Sequence, residues 1–123
     1  MKYTNQRVAI LNFLKNNLNH PSVEEIYEGV KEALPRITKA TVYKNLKVLT
    51  ENGLLKEVNV KGVSRYEAII DPHHHIICKT CGKIGDFFSD ELIEYSLEII
   101  KNHKDFIIDR AETTFFGQCK SCE

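Results

Sequence analysis

Two short cysteine pairs, Cys78-Lys79-Thr80-Cys81 and Cys119-Lys120-Ser121-Cys122, contain all four cysteines of this 123-residue chain. A Cys-x-x-Cys turn sets two thiolates on one side of a tight loop, and two such turns make a tetrahedral cage with no open position for a substrate. The pattern is read as a structural Zn2+ site on Cys78, Cys81, Cys119 and Cys122, with reactive dithiols or incidental buried cysteines as the alternatives. The pairs are 37 residues apart. They meet if the segment 106–116 returns as a strand beside a strand at 74–78 and the intervening helix packs on the sheet. A chain of this length makes one domain or two small ones. Halves of about 60 residues have thin cores and lean on a metal, disulfides or a partner subunit. No apolar signal core follows Met1 and no apolar run is long enough to cross a bilayer. The chain is therefore expected to be soluble, intracellular and cytoplasmic, where cysteines serve as metal ligands rather than as disulfides.

The net charge is zero, but residues 1–66 hold 11 Lys and Arg against 6 Asp and Glu, while residues 67–123 hold 6 against 11. One half suits phosphates and the other suits cations. In the basic half, Val8, Ile10, Leu11, Phe13, Leu14 and Leu18 recur at helical spacing behind Thr4, an N-cap. His20-Pro21 breaks the chain. Ser22-Val23-Glu24-Glu25 is a capping box opening a second helix, which runs through Ile26, Val30 and Ala33 to Leu34 and ends at Pro35. A third helix starts at Thr38 and stops at Asn52-Gly53. Residues 54–60 and 64–70 then read as the two strands of a hairpin around Lys61-Gly62-Val63. Three helices and a hairpin predict a winged helix. The acidic half reads as a strand at 74–78, a tight cysteine turn, a strand at 84–88, a helix at 89–103 and a strand at 106–116. Tyr95, Phe106, Phe115 and Phe116 are read as core. Asp71-Pro72 is the expected seam. The fold class is thus α+β, with a winged helix-turn-helix domain over 1–70 and an α/β domain over 71–123 that carries the four-cysteine site.

If four sulfurs fill the zinc, the histidines of Asp71-Pro72-His73-His74-His75 serve something else. Side chains alternate along a strand, so His73 and His75 share a face and His74 points the other way. Two imidazoles suit Fe2+, Mn2+, Zn2+ or Ni2+, and added carboxylates bias the choice toward iron or manganese. Asp86 lies on the neighbouring strand, Glu67 at the foot of the wing and His20 in the loop after the first helix. Each of these three has a bland reading as turn or solvated surface. His103, at the end of a helix, is read as a helix-dipole partner.

Over essentially its whole length the chain resembles the ferric uptake regulator (Fur) family of metal-dependent bacterial repressors. The matching pieces are Thr38-Lys39-Ala40-Thr41-Val42-Tyr43-Lys44-Asn45-Leu46, His73-x-His75-x-x-Cys78-x-x-Cys81-Gly82-Lys83 and the Cys119-x-x-Cys122 tail. The resemblance implies an N-terminal winged-helix DNA-binding domain and a C-terminal dimerisation domain with structural zinc on the four cysteines. It also implies a regulatory metal at the hinge on His20, Glu67, His73, His75 and Asp86. Asp86 agrees with the peroxide-sensing PerR branch of the family, whereas Glu67 agrees with the iron-sensing branch. Ala111 falls about where a second histidine-rich site of iron-sensing members would have a ligand. Lys44 stands where Arg is more usual, and so keeps the charge without the bidentate fork.

The function expected is a metal-dependent, DNA-binding transcriptional repressor that senses peroxide through regulatory Fe2+ or Mn2+, with Zn2+ also chemically admissible there. The alternative is an iron- or zinc-homeostasis repressor of the same family. Its third helix would enter the major groove of double-stranded DNA, with Thr41 and Tyr43 at bases or sugars and Lys39 and Lys44 at phosphates. Tyr43 has a core-packing alternative. Lys2 and Arg7 would reach the backbone or an adjacent minor groove. A homodimer would read an A/T-rich palindromic operator. No enzyme is expected: a zinc deaminase needs a His-x-Glu proton shuttle, and Ile76-Ile77 follow the histidines here. An interaction-only zinc ribbon fits poorly with the basic, helical first half.

Overall fold

The computed structural model describes residues 1–69 and 71–122. Ile70, the expected end of the second hairpin strand, and Glu123 lie outside the described residues. The chain divides into two compact units, Met1–Ile70 and Asp71–Glu123.

In the first unit, α1 (Asn5–Lys15), α2 (Val23–Val30) and α3 (Lys39–Glu51) precede the hairpin β1 (Lys56–Val60) and β2 (Val63–Glu67). Each helix opens on a polar cap. Thr4 accepts from the Arg7 amide, Ser22 and Glu25 form a reciprocal capping box, and Thr38 accepts from the Thr41 amide. The α2 helix ends at Val30, short of the expected Leu34, and a turn anchored by the Leu34 amide on the Val30 carbonyl carries the chain toward Pro35. The helices and wing bury one core, in which Ile10, Leu14, Ile26, Val42, Leu46 and Leu49 are fully enclosed. Burying each such side chain contributes about 1.5–3 kcal/mol. Val8 and Leu18, counted with the apolar face of the first helix, are 40% and 56% exposed. The hairpin closes through Lys61 (φ 53°) and Gly62 (φ 80°) between the paired residues Val60 and Val63. Two successive positive φ values match the right-handed twist of the strands, so the strands are joined by two turn residues and Val63 already belongs to β2.

In the second unit, β3 (His74–Cys78) lies between β4 (Ile84–Phe87), antiparallel to it, and β5 (Thr114–Gly117), parallel to it. The helix α4 (Asp90–Ile100), capped by Ser89, forms the connection. Two expectations fail here. The last strand is confined to Thr114–Gly117 rather than 106–116, because the parallel register sets Thr114 opposite His75, the second residue of β3, and the His75 amide donates to the Thr113 carbonyl, so the residues before Thr113 run past the start of that strand. Nor are Tyr95, Phe106, Phe115 and Phe116 core: they are 66%, 66%, 42% and 66% exposed, and α4 has no buried residue. A three-stranded sheet and one short helix do not supply enough cover for so many large apolar side chains.

Candidate metal centres and the recognition helix

The cysteines are brought together by the parallel β3–β5 ladder. Cys78 at the end of β3 lies opposite Gly117, and the Lys79 amide donates to the Gly117 carbonyl at 2.8 Å, which carries the tail past the first knuckle. That knuckle turns through Gly82 (φ 79°), whose amide donates to the Cys78 carbonyl at 2.9 Å. The four sulfurs lie within 4.8 Å of one another, with Cys78–Cys122 at 3.9 Å, Cys81–Cys119 at 3.7 Å and Cys119–Cys122 at 3.4 Å. A tetrahedral Zn2+ with sulfurs at about 2.3 Å sets its ligands roughly 3.8 Å apart, so the cluster fits a zinc site. Amides of Cys119 (3.4 Å) and Cys81 (3.5 Å) point at the Cys78 sulfur and hold its thiol down at about 5. Crowding by the Cys119 and Cys81 sulfurs pushes Cys122 up to about 12. One thiolate forms readily and the last is opposed by its neighbours, an imbalance that a divalent cation removes.

The histidine run obeys the strand period. His74 is fully buried and satisfied on both ring nitrogens: Nδ1 accepts from the Thr113 amide at 2.9 Å and Nε2 donates to the Ser89 carbonyl at 3.3 Å. It pins β3 to its surroundings and is no ligand. His73 and His75 both turn toward Asp86, the register partner of His75, with Nε2 to Oδ1 distances of 3.2 and 3.6 Å. His73 Nδ1 faces the Asp71 carbonyl at 2.7 Å, which can only accept, so Nδ1 is the donor of that hydrogen bond. Nε2 and a carboxylate oxygen therefore face each other at a spacing and with donor types that suit a bridging cation. A backbone acceptor on the far nitrogen is also how ligating histidines are commonly oriented. Phe88 stacks on His73, with ring centroids 4.7 Å apart, and fixes its plane.

In the first unit, His20 Nε2 lies 2.8 Å from Glu67 Oε2, and both side chains are 2% exposed. Donors about 2.0–2.2 Å from a common ion lie roughly 3 Å apart, so this pair too has ligand spacing. His103 takes no part: it follows α4, and its Nδ1 accepts from the Asp105 amide.

Along α3, Tyr43 is 56% exposed, which removes its core-packing alternative, and Lys44 is exposed beside it. Thr41 is half-buried and its hydroxyl lies 3.0 Å from that of Thr38. Lys39, exposed at the start of the helix, lies 3.5 Å from Glu24, and Lys2 is exposed. Arg7 is engaged internally: its Nε donates to Asn45 Oδ1 at 2.9 Å and its guanidinium to the Lys2 carbonyl. Asn45, buried on α3, also donates to Gln6 and to the Thr41 carbonyl, so it ties α1 to α3. Sequence reading missed Asn45, whose only signal is an amide on the buried side of a helical repeat. It also missed Arg65, two residues before Glu67 on the same strand, whose Nε donates to the His20 carbonyl at 2.6 Å.

The family model for the "Ferric uptake regulator family" matches residues 1–114. The peroxide operon regulator of Bacillus subtilis is 35% identical over 123 residues, covering 99% of this chain and 84% of that protein. The peroxide-responsive repressor PerR of Staphylococcus aureus is 37% identical, covering 100% and 83%. Among solved structures, the Helicobacter pylori ferric uptake regulator Fur, described as having three functional metal binding sites, superposes with a TM-score of 0.84 at 27% identity over 99% of this chain and 82% of that one. The Campylobacter jejuni peroxide stress regulator does so with a TM-score of 0.82 at 33% identity over 95% and 88%. With the winged helix, the four-sulfur cluster and these whole-length matches together, the chain belongs to the ferric uptake regulator family.

Proposed function

We propose that this protein is a metal-dependent, DNA-binding transcriptional repressor that releases its operator when peroxide reacts at a regulatory Fe2+. The observation that carries metal dependence is Asp86 facing the Nε2 atoms of both His73 and His75 while the Nδ1 of His73 is committed to a backbone carbonyl. The matching pair, His20 and Glu67, sits in the other unit. A regulatory Fe2+ or Mn2+ drawing ligands from both pairs favours one arrangement of the units by its differential affinity for it. The structural Zn2+ stays on the four cysteines. Residues 1–70 act as the DNA-binding domain and 71–123 as the dimerisation domain. The names of the relatives support peroxide as the signal.

Bound Fe2+ supplies reduction of peroxide. The net change is insertion of one oxygen at a ring carbon of His20 or His75, with the second peroxide oxygen leaving as water. An oxidised imidazole at His20 or His75 would be a poorer ligand, so the site would lose its hold on the ion and the protein its hold on the operator. In the DNA-bound state Thr41 and Tyr43 read the major groove, Lys39 and Lys44 neutralise phosphates, Lys2 adds a contact near the start of α1, and Arg7 acts chiefly by bracing α3. A homodimer presents two such helices to an A/T-rich palindrome in the cytoplasm. The protein is a regulator and not an enzyme, as its family members are.

The test is anaerobic binding of the zinc-loaded protein to an A/T-rich palindrome, titrated with Fe2+ and with Mn2+, before and after a peroxide pulse. Binding with both metals, lost only for the Fe2+ form and accompanied by one added oxygen on the His20 or His75 peptide, is expected. Metal-dependent binding indifferent to peroxide would instead identify an iron- or zinc-homeostasis repressor, the reading that Glu67 favours.

A further inference from the structure

His20 occupies a conformation that a residue with a side chain seldom adopts, with φ at 56°. What holds it there comes from one strand. Arg65 Nε donates to the His20 carbonyl at 2.6 Å, the Tyr66 amide donates to the Pro21 carbonyl at 3.0 Å, and Ser22 bridges to Arg65. Arg65 and Glu67 are two residues apart on β2 and so share a face. Arg65 grips the backbone of His20 while Glu67 meets its imidazole at 2.8 Å. The guanidinium is itself placed by Glu25, 3.9 Å away, whose carboxylate also closes the capping box of α2.

We propose that Arg65 is a positioning residue for the regulatory metal: it holds His20 in its left-handed turn, so that the imidazole is set for coordination before the ion arrives. This rests on the reading of His20 as a ligand. Without the guanidinium the turn relaxes toward ordinary backbone angles, and part of the metal's binding energy goes into restoring it. The loss should be of metal affinity, with the operator-binding surface untouched once metal is saturating.

The experiment uses the full-length, zinc-loaded protein, Mn2+ as the probe, and Arg65→Met, Arg65→Lys and His20→Ala beside the unaltered chain. Mn2+ affinity is read by the paramagnetic signal of the free ion, with melting temperature, zinc content and operator affinity at saturating Mn2+ measured in parallel. Displacing the group that orients a ligand typically weakens metal binding 10–100-fold, so R65M should lose about 10-fold. R65K, which keeps one donor, should lose less, and both should recover full operator affinity at saturating Mn2+. Unchanged Mn2+ affinity in R65M alongside a large loss in H20A overturns the positioning role alone. Unchanged affinity in H20A overturns His20 as a ligand, and the positioning role with it. Equal losses of melting temperature, zinc and saturated operator binding in both R65M and R65K make Arg65 a general structural residue and also overturn the proposal.

Discussion

Asn45 joins α1 to α3 through a buried set of hydrogen bonds. Its side-chain oxygen accepts from Arg7 and its nitrogen donates to Gln6 and to the Thr41 carbonyl, all at a site only 5% exposed. Asn45→Ala removes the acceptor for a guanidinium N–H, so chemical denaturation should show a loss of about 1–3 kcal/mol. Operator affinity should fall as well, since α3 loses its brace to α1. Gly62 is a simpler case. A Cβ there meets nothing within 4 Å, but φ is +80°. Gly62→Ala should therefore cost about 1 kcal/mol through backbone conformation alone, read as a lower melting temperature with unchanged metal binding. Asn45 shows where sequence reading falls short: hydrophobic periodicity located the core helices, but a polar residue on the buried side of a repeat is silent about its partners.

At the scale of elements, α1 and α2 approach closely at Gly29. A Cβ on Gly29 would lie 2.4–2.7 Å from the ring atoms of Phe13, inside any permitted contact. Gly29→Ala gains up to about 1 kcal/mol in helix propensity, but overpacking costs about 1–3 kcal/mol. Net destabilisation is expected, and adding Phe13→Leu should relieve it; a double-mutant cycle by thermal melting would show the coupling. In the second unit the ladder between β3 and β5 is only four residue pairs long, and the cysteines extend it. Cys119→Ser, or removal of zinc by a chelator, should abolish the metal stoichiometry and the cooperative melting of this unit together.

At the scale of the whole molecule, one chain leaves too much apolar surface uncovered. Tyr95 and Ile99 on α4 are 66% and 67% exposed, and Phe106 and Ile107 beyond it are 66% and 100% exposed. Surface of this kind marks an interface, and members of this family are dimeric. Ile99→Glu places a charge on that face and is expected to shift the protein from dimer toward monomer in sedimentation. Affinity for a palindromic operator should drop by more than 10-fold, with zinc retained, because single half-site binding forgoes the second recognition helix. Among the described residues no helix is long and apolar enough to cross a membrane.

Local chemistry is what the sequence by itself determined. The caps at Thr4, Ser22 and Thr38, a hairpin turn around Lys61-Gly62-Val63 (though not that Val63 already belongs to β2), the alternation that separates His74 from His73 and His75, and the two Cys-x-x-Cys knuckles all follow from spacing within a few residues. Tertiary structure decided whatever depends on groups far apart in the chain. It brought the sulfurs of the two knuckles together through a parallel ladder, set Arg65 against the carbonyl of His20 and ended β5 at four residues. It also left Tyr95, Phe106 and Phe116 outside any core. The reason is physical: capping and alternation are settled by hydrogen bonds and side-chain directions one turn or one residue away, whereas burial and strand length depend on whether the rest of the chain can cover a given face. For α4 one chain does not, and the sequence carries no mark that distinguishes an apolar side chain meant for its own core from one left for another copy.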